Sequence, residues 1–164
     1  MEETRLAVYG VAGFILMVTL VSGPLVGAVD LTQEPTGCTE PIGSGSATVD
    51  VDSLPDSATI SKGQFGAETY YLDVPDGSAT VTNVTGQPIL SYTISIPELG
   101  RTAGPTLFLC ADQSSQQTLS IQRLTIDENT LDDEAYDATL TLILRGDGEE
   151  VLVREQSITV EVQR

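Results

Sequence analysis

Two patterns of apolar residues divide the chain. From Leu6 to Val29 no charge interrupts LAVYGVAGFILMVTLVSGPLVGAV. From residue 46 onward, short alternating segments take over, each bounded by Gly, Pro, Asn or Asp. SATVDV (46–51), ETYYLDV (68–74), ATVTNV (79–84), ILSYTISI (89–96) and TLFLC (106–110) read as strands, as do TLSIQRLTI (118–126), ATLTLIL (138–144), EVLV (150–153) and SITVEV (157–162). VPDGS (74–78) reads as a turn, and Gly146-Asp147-Gly148 as a hairpin connection. Along 138–144 the period of two sends Leu140, Leu142 and Leu144 to one face and Thr139, Thr141 and Ile143 to the other. Nothing after Val29 keeps a convincing helical period of 3.6. The segment between the two patterns, DLTQEPTGCTEPIGSG (30–45), has linker chemistry. The organisation expected is a leader over 1–29, a linker over 30–45 and one domain over 46–164.

About nine strands with turns every 8–12 residues predict an all-β fold with two packed sheets. LDDEAYDATLTLIL narrows the choice. Tyr136 opens a strand with Asp132 four residues before it, which resembles the tyrosine corner of immunoglobulin-like domains. Two positions depart from that pattern: Glu134 stands where Gly or Ala is usual, and Ala138 replaces a disulfide cysteine. The resemblance implies an immunoglobulin-like antiparallel two-sheet β-sandwich, preceded by one N-terminal hydrophobic helix.

At 1.5 Å per residue, the run from Leu6 to Val29 is long enough to cross a hydrocarbon core of ~30 Å. It is therefore a transmembrane anchor or a secretion signal. Ser22-Gly23-Pro24 breaks the helix, and Val26-Gly27-Ala28 offers a cleavage site after Ala28. Against cleavage, the run exceeds the usual signal core, and MEETR ahead of it is barely positive. Both outcomes stay open. Orientation is firmer: after Arg5 no Lys or Arg occurs until Lys62, so the domain is expected outside the membrane. An apolar helix before a β-rich head also resembles type IV pilins and archaellum subunits. Their basic-residue-plus-glycine cut site is missing, because Arg5-Leu6 stands there and Gly10 and Gly13 lie inside the core.

Charge adds the solvent. Asp and Glu number 24 against 7 Lys and Arg, a formal net charge of -17, with one lysine and no histidine. Such a balance argues against nucleic acid, whose phosphates require Lys and Arg. Without histidine, Ser-His-Asp, Cys-His and imidazole–metal sites are excluded. Acid-rich, nearly Lys-free composition resembles small exported cell-surface proteins of halophilic archaea. It implies a domain that repels itself in dilute buffer and is compact where molar salt cuts the Debye length to roughly 3 Å.

Few residues suggest specific chemistry. Cys38 and Cys110 are expected to form one disulfide, clamping the linker to the domain and adding roughly 4 kcal/mol. Asn83-Val84-Thr85 is a candidate glycosylation acceptor at Asn83. The acidic clusters Asp50, Asp52, Asp56 and Asp127, Glu128, Asp132, Asp133, Glu134, Asp137 read as solvated turns. The second fails the EF-hand pattern at Leu131. Paired carboxylates suit a glycosidase, but aromatics for sugar stacking are scarce. Of the adjacent Tyr70 and Tyr71, one is expected to be exposed. Ser61 and Lys62 diverge in an extended segment and make no hydrolase pair. Arg145-Gly146-Asp147 spells an adhesion tripeptide that the hairpin already explains. No catalytic, cofactor-binding or metal residue is assigned. The expected function is non-enzymatic: a membrane-tethered or secreted cell-envelope domain with a structural or protein-binding role. It would contact the membrane through residues 6–29 and an envelope protein through the sandwich. A subunit of a pilus-like or archaellum filament and a calcium-dependent binding module are the alternatives.

Overall fold

A computed structural model of the chain describes residues 38–63, 69–110 and 115–163. The apolar run at 6–29, with its expected helix and cleavage site, lies outside the described residues. Among the described residues no helix is long and apolar enough to cross a membrane.

Eleven strands follow in order: β1 (Ser44–Ser53), β2 (Ser57–Lys62), β3 (Thr69–Asp73), β4 (Gly77–Gln87), β5 (Ile89–Ile96), β6 (Arg101–Ala103), β7 (Thr106–Phe108), β8 (Ser115–Leu119), β9 (Leu124–Asp127), β10 (Ala135–Gly146) and β11 (Glu149–Gln163). Short 3₁₀ turns at Pro97–Leu99 and Glu128–Thr130 follow β5 and β9. The strands form two sheets. One has the order β1-β4-β8; the other runs β6-β5-β10-β11-β2-β3-β9, with β7 also paired to β5. The fold is all-β, as the alternation predicts.

Binary patterning builds the core. In β5, Leu90, Tyr92, Ile94 and Ile96 are buried while Ser91, Thr93 and Ser95 between them are not. In β10, Leu140, Leu142 and Leu144 are buried as expected. The register sets Leu140 opposite Ile94, Leu142 opposite Tyr92 and Leu144 opposite Leu90, so two inward rows lie side by side. Ala79 and Val81 of β4 and Leu119 of β8 belong to the same apolar cluster, which joins the two sheets. Removing one such side chain, as in Leu140→Ala, costs about 2–5 kcal/mol. No charged or polar residue among those described is buried, and every described acid is exposed.

Two buried tyrosines handle their hydroxyls differently. The Tyr136 hydroxyl accepts a hydrogen bond from the Asp133 backbone N–H at 3.0 Å, tying the start of β10 to the turn before it. The partner lies three residues upstream. The Tyr92 hydroxyl has no hydrogen-bond partner among the described residues. Burial, with the nearby Asp76 carboxylate as a smaller cause, pushes its pKa up to about 12.

The strand expectations fail in four places. β2 was not expected, because SATISK offers only Ala58 and Ile60 to the core. The three-residue β6 is too short to show a period. The apparent strand at 118–126 is two strands, β8 and β9, in different sheets; the chain crosses between them at residues 120–123. Conversely, 150–153 and 157–162 are one strand, β11, with a register shift against β10 that leaves Val153 unpaired between Leu152 and Arg154. A bulge reverses the alternation, so one strand looks like two. The expectation of wholly antiparallel sheets is also corrected, since β11 and β2 pair in parallel. Side-chain alternation fixes which residues face inward but carries no information about a partner's direction.

Candidate functional site

The described residues offer two distinctive regions. The first is the end of the body where the chain enters, here called the proximal end. Cys38, the first described residue, is bonded to Cys110 just beyond β7, with the two Cα atoms 5.4 Å apart. Ile42 bridges Gln87 at the end of β4. The β10–β11 hairpin turns at the same end through Asp147 and Gly148, both at positive φ, as a type I′ turn requires. The Asp147 N–H donates to the Gly43 carbonyl at 2.9 Å, and its Oδ1 accepts from the Gly45 N–H at 2.7 Å. A side chain at Gly146 would run into the Gly45 carbonyl, so this close approach of hairpin and β1 needs glycine.

These bonds absorb the adhesion-like tripeptide. Arg145 pairs with Glu150 at 2.7 Å, and Asp147 is occupied by Gly45. What sets the proximal end apart is apolar exposure. Ile42 (65% exposed), Phe108 (50%), Val151 (52%) and Leu152 (57%) are the large hydrophobic residues left open to solvent among those described. Sequence reasoning missed them as a group. Their common location follows only from the register, which sets Phe108 opposite Ile89 and Leu152 opposite Ile143.

The second region is the distal flank, where the terminal strands β6 and β9 line common clefts. One cleft of about 610 Å³ lies among Thr69, Arg101, Asp127 and Glu128. Another of about 640 Å³ lies among Ala103, Pro105, Gln122 and Arg123. Here the scarce positive charges gather. Lys62 reaches Glu128 at 3.5 Å and lies 5.7 Å from the Tyr70 ring centroid. Arg123 pairs with Asp73 at 2.6 Å and lies 5.9 Å from the Tyr71 ring. Arg101 is exposed and forms no ion pair among the described residues. Tyr70 is buried and Tyr71 half-buried, so the adjacent side chains diverge as expected but neither is fully exposed.

The remaining candidates are spread over the surface. Asn83 is exposed at φ 52, in a bulge of β4 where Asn83 and Val84 stand opposite Ala47 alone. The strand therefore continues past the sequon to Gln87. The Thr85 hydroxyl is engaged by the Ser46 N–H at 3.0 Å. Asp52 accepts from Thr80 at 2.9 Å, and Asp56 accepts from Gln156 at 3.0 Å. Asp127 caps the 3₁₀ turn that follows it, and hydrogen bonds from the backbone N–H and side-chain amide of Asn129 hold its carboxyl below the usual pKa. Among the described residues no three acids or cysteines converge in a way that could hold a metal ion. Ser61 and Lys62 are neighbours in β2, with Lys62 turned to Glu128.

Compared with known proteins, the chain matches no protein-family model and no curated relative.

Proposed function

We propose that this chain is a non-enzymatic cell-envelope protein: an acidic, immunoglobulin-like domain held outside the membrane by residues 6–29, or released after Ala28, with a structural or protein-binding role. The observation that carries the reading is the Cys38–Cys110 bond, which ties the segment leading from the apolar run to one end of the domain. A disulfide suits an exported chain.

Several features support the immunoglobulin-like assignment. β5, β10 and β11 lie adjacent in one sheet, with β2 parallel to β11, and β1, β4 and β8 form the other. Neighbours in sequence thus change sheets at β4–β5, as in C-F-G strands set against A-B-E strands. The tyrosine-corner hydrogen bond of Tyr136 fits the same pattern. Partner contacts are assigned to the distal flank. Arg101, Arg123 and Lys62 there suit a protein partner with an acidic contact surface, against a chain that is otherwise strongly negative. Exposed Asn83 is the candidate glycan acceptor.

Mass spectrometry of the amino terminus of protein recovered from cells and medium tests the placement. Met1 or Val29 as first residue is expected; a cut just ahead of the apolar core would favour the filament subunit instead. The solvent reading has its own measurement. Because every described acid is exposed, the unfolding temperature is expected to fall steeply from molar to millimolar NaCl. A flat response would remove the halophilic adaptation.

A further inference from the structure

We propose that the proximal corner of the domain docks on the bilayer surface through an apolar strip formed by Phe108, Ile89, Ile143 and Leu152. This rests on the membrane-tethered form of the reading above. The strip is defined by register. Leu90 and Leu144 are buried, so Ile89 and Ile143 beside them point to the outer side of the sheet. Cross-strand partners share a side, which places Phe108 with Ile89 and Leu152 with Ile143. Ile89 pairs with Arg145 and Ser91 with Ile143, so Ile89 and Ile143 are diagonal neighbours. The strip therefore crosses β7, β5, β10 and β11, about 14 Å at the usual strand spacing. Ile42, bridged to Gln87, extends the apolar surface at the chain's point of arrival.

The outer side of the same sheet is polar elsewhere. Away from the proximal end, β5 and β10 present Thr93, Ser95, Thr139 and Asp137 there. Apolar exposure is thus confined to one corner, and that corner is the tethered one. Residues 30–37 separate the apolar run from Cys38, a reach of at most about 30 Å even fully extended. The disulfide shortens the lever further, since Cys110 follows Phe108 by two residues. Of the acids nearby, Glu150 is paired with Arg145 and Asp147 accepts from the Gly45 N–H, while Glu149 is exposed; molar salt screens the charge that remains.

A second copy of the chain is the competing occupant, and the first part of β11 argues against it, where β11 has a free edge because β2 pairs with it only from Thr159 onward. Beside Leu152 that edge is bulged at Val153, and the exposed Arg154 stands opposite the buried Leu142, so it leaves the sheet on the core side. Bulges and inward charges are devices that discourage edge-to-edge pairing.

The chain contains no tryptophan, so each introduced Trp is a sole reporter. Phe108→Trp, Leu152→Trp and the distal control Glu98→Trp are made in the full chain and reconstituted in nanodiscs in molar NaCl. Lipids with brominated acyl chains are compared with unbrominated ones, and variants are matched by unfolding temperature. Emission from positions 108 and 152 is expected to drop at least twofold in brominated discs, with position 98 unchanged. Protein that stays in the discs with positions 108 and 152 unquenched overturns the docking and leaves the tether standing. Blue-shifted, unquenched emission that grows with the number of chains per disc assigns the strip to a second copy, which also overturns it. Protein recovered outside the discs and beginning at Val29 overturns the tether, and the docking with it.

Discussion

The proximal end and the distal flank treat exposed side chains in opposite ways. At the proximal end, Ile42, Phe108, Val151 and Leu152 are open to solvent, and Arg145 is paired with Glu150. On the distal flank the apolar side chains Ile94, Ile96 and Ile126 are buried, while Lys62, Arg101 and Arg123 stand exposed around clefts. Both regions lie on one sheet and share one core, so folding alone does not require the difference. Exposed apolar groups gain by leaving water, whereas exposed cations in an acidic chain gain from an anionic partner. The contrast is the reason for the two neighbours proposed above: an apolar surface at the proximal end and an acidic protein surface at the distal flank.

The largest effect expected concerns the proximal end. Replacing both cysteines, Cys38→Ser with Cys110→Ser, should cost roughly 4 kcal/mol and lower the unfolding temperature by on the order of 10 °C. Calorimetry of the two proteins in the same salt checks it. Identical midpoints would mean that the bond clamps nothing and that the proximal end is held by the β1 and hairpin contacts alone.

A smaller effect separates the two buried hydroxyls. Tyr136→Phe leaves the Asp133 N–H without its acceptor and should cost about 1 kcal/mol. Tyr92→Phe removes a hydroxyl with no partner among the described residues and should be neutral or stabilise by up to about 1 kcal/mol. Chemical denaturation of both variants in one buffer distinguishes them, and equal losses would contradict the assignment of partners. Tyr92 also predicts a pH response. Its pKa is raised on folding, so the stability it contributes is complete below the ordinary tyrosine value near 10 and is lost as pH rises towards about 12. The fall in stability over that window should shrink in Tyr92→Phe.

The smallest effect on stability sharpens the distal side. Arg101→Glu changes an exposed residue with no ion pair among the described residues and should alter stability by no more than about 0.5 kcal/mol. Association with an acidic protein surface should weaken at least tenfold, as read by titration with an acidic peptide such as poly-glutamate. Unchanged binding would move the partner surface elsewhere. The same charge reversal should leave Phe108→Trp quenching in discs untouched, because the two regions act separately.

Much of the architecture was legible because alternation is a direct record of burial. Leu90, Tyr92, Ile94 and Ile96 are separated by serine or threonine, and each is inward. The Asp147-Gly148 turn and the Cys38–Cys110 bond were equally readable, the first from φ requirements and the second because the chain has only two cysteines. β2 was illegible because Ala58 and Ile60 make a weak pattern. β11 looked like two strands because the bulge at Val153 breaks its period. The functional regions were harder still. Phe108 and Leu152 lie far apart in sequence, and Arg101, Arg123 and Lys62 come from three separate segments.

By itself the sequence determined the all-β class, the inward face of most strands, the disulfide partners and an acidic surface. Those are local or compositional properties: side-chain period, turn chemistry and the count of ionisable groups. The tertiary structure alone decided strand order, the parallel β2–β11 pair, the partner of the Tyr136 hydroxyl, and where scarce residues gather. Those depend on which strand pairs with which and in what register. One apolar residue on an outer face means little until its neighbours across the sheet are known.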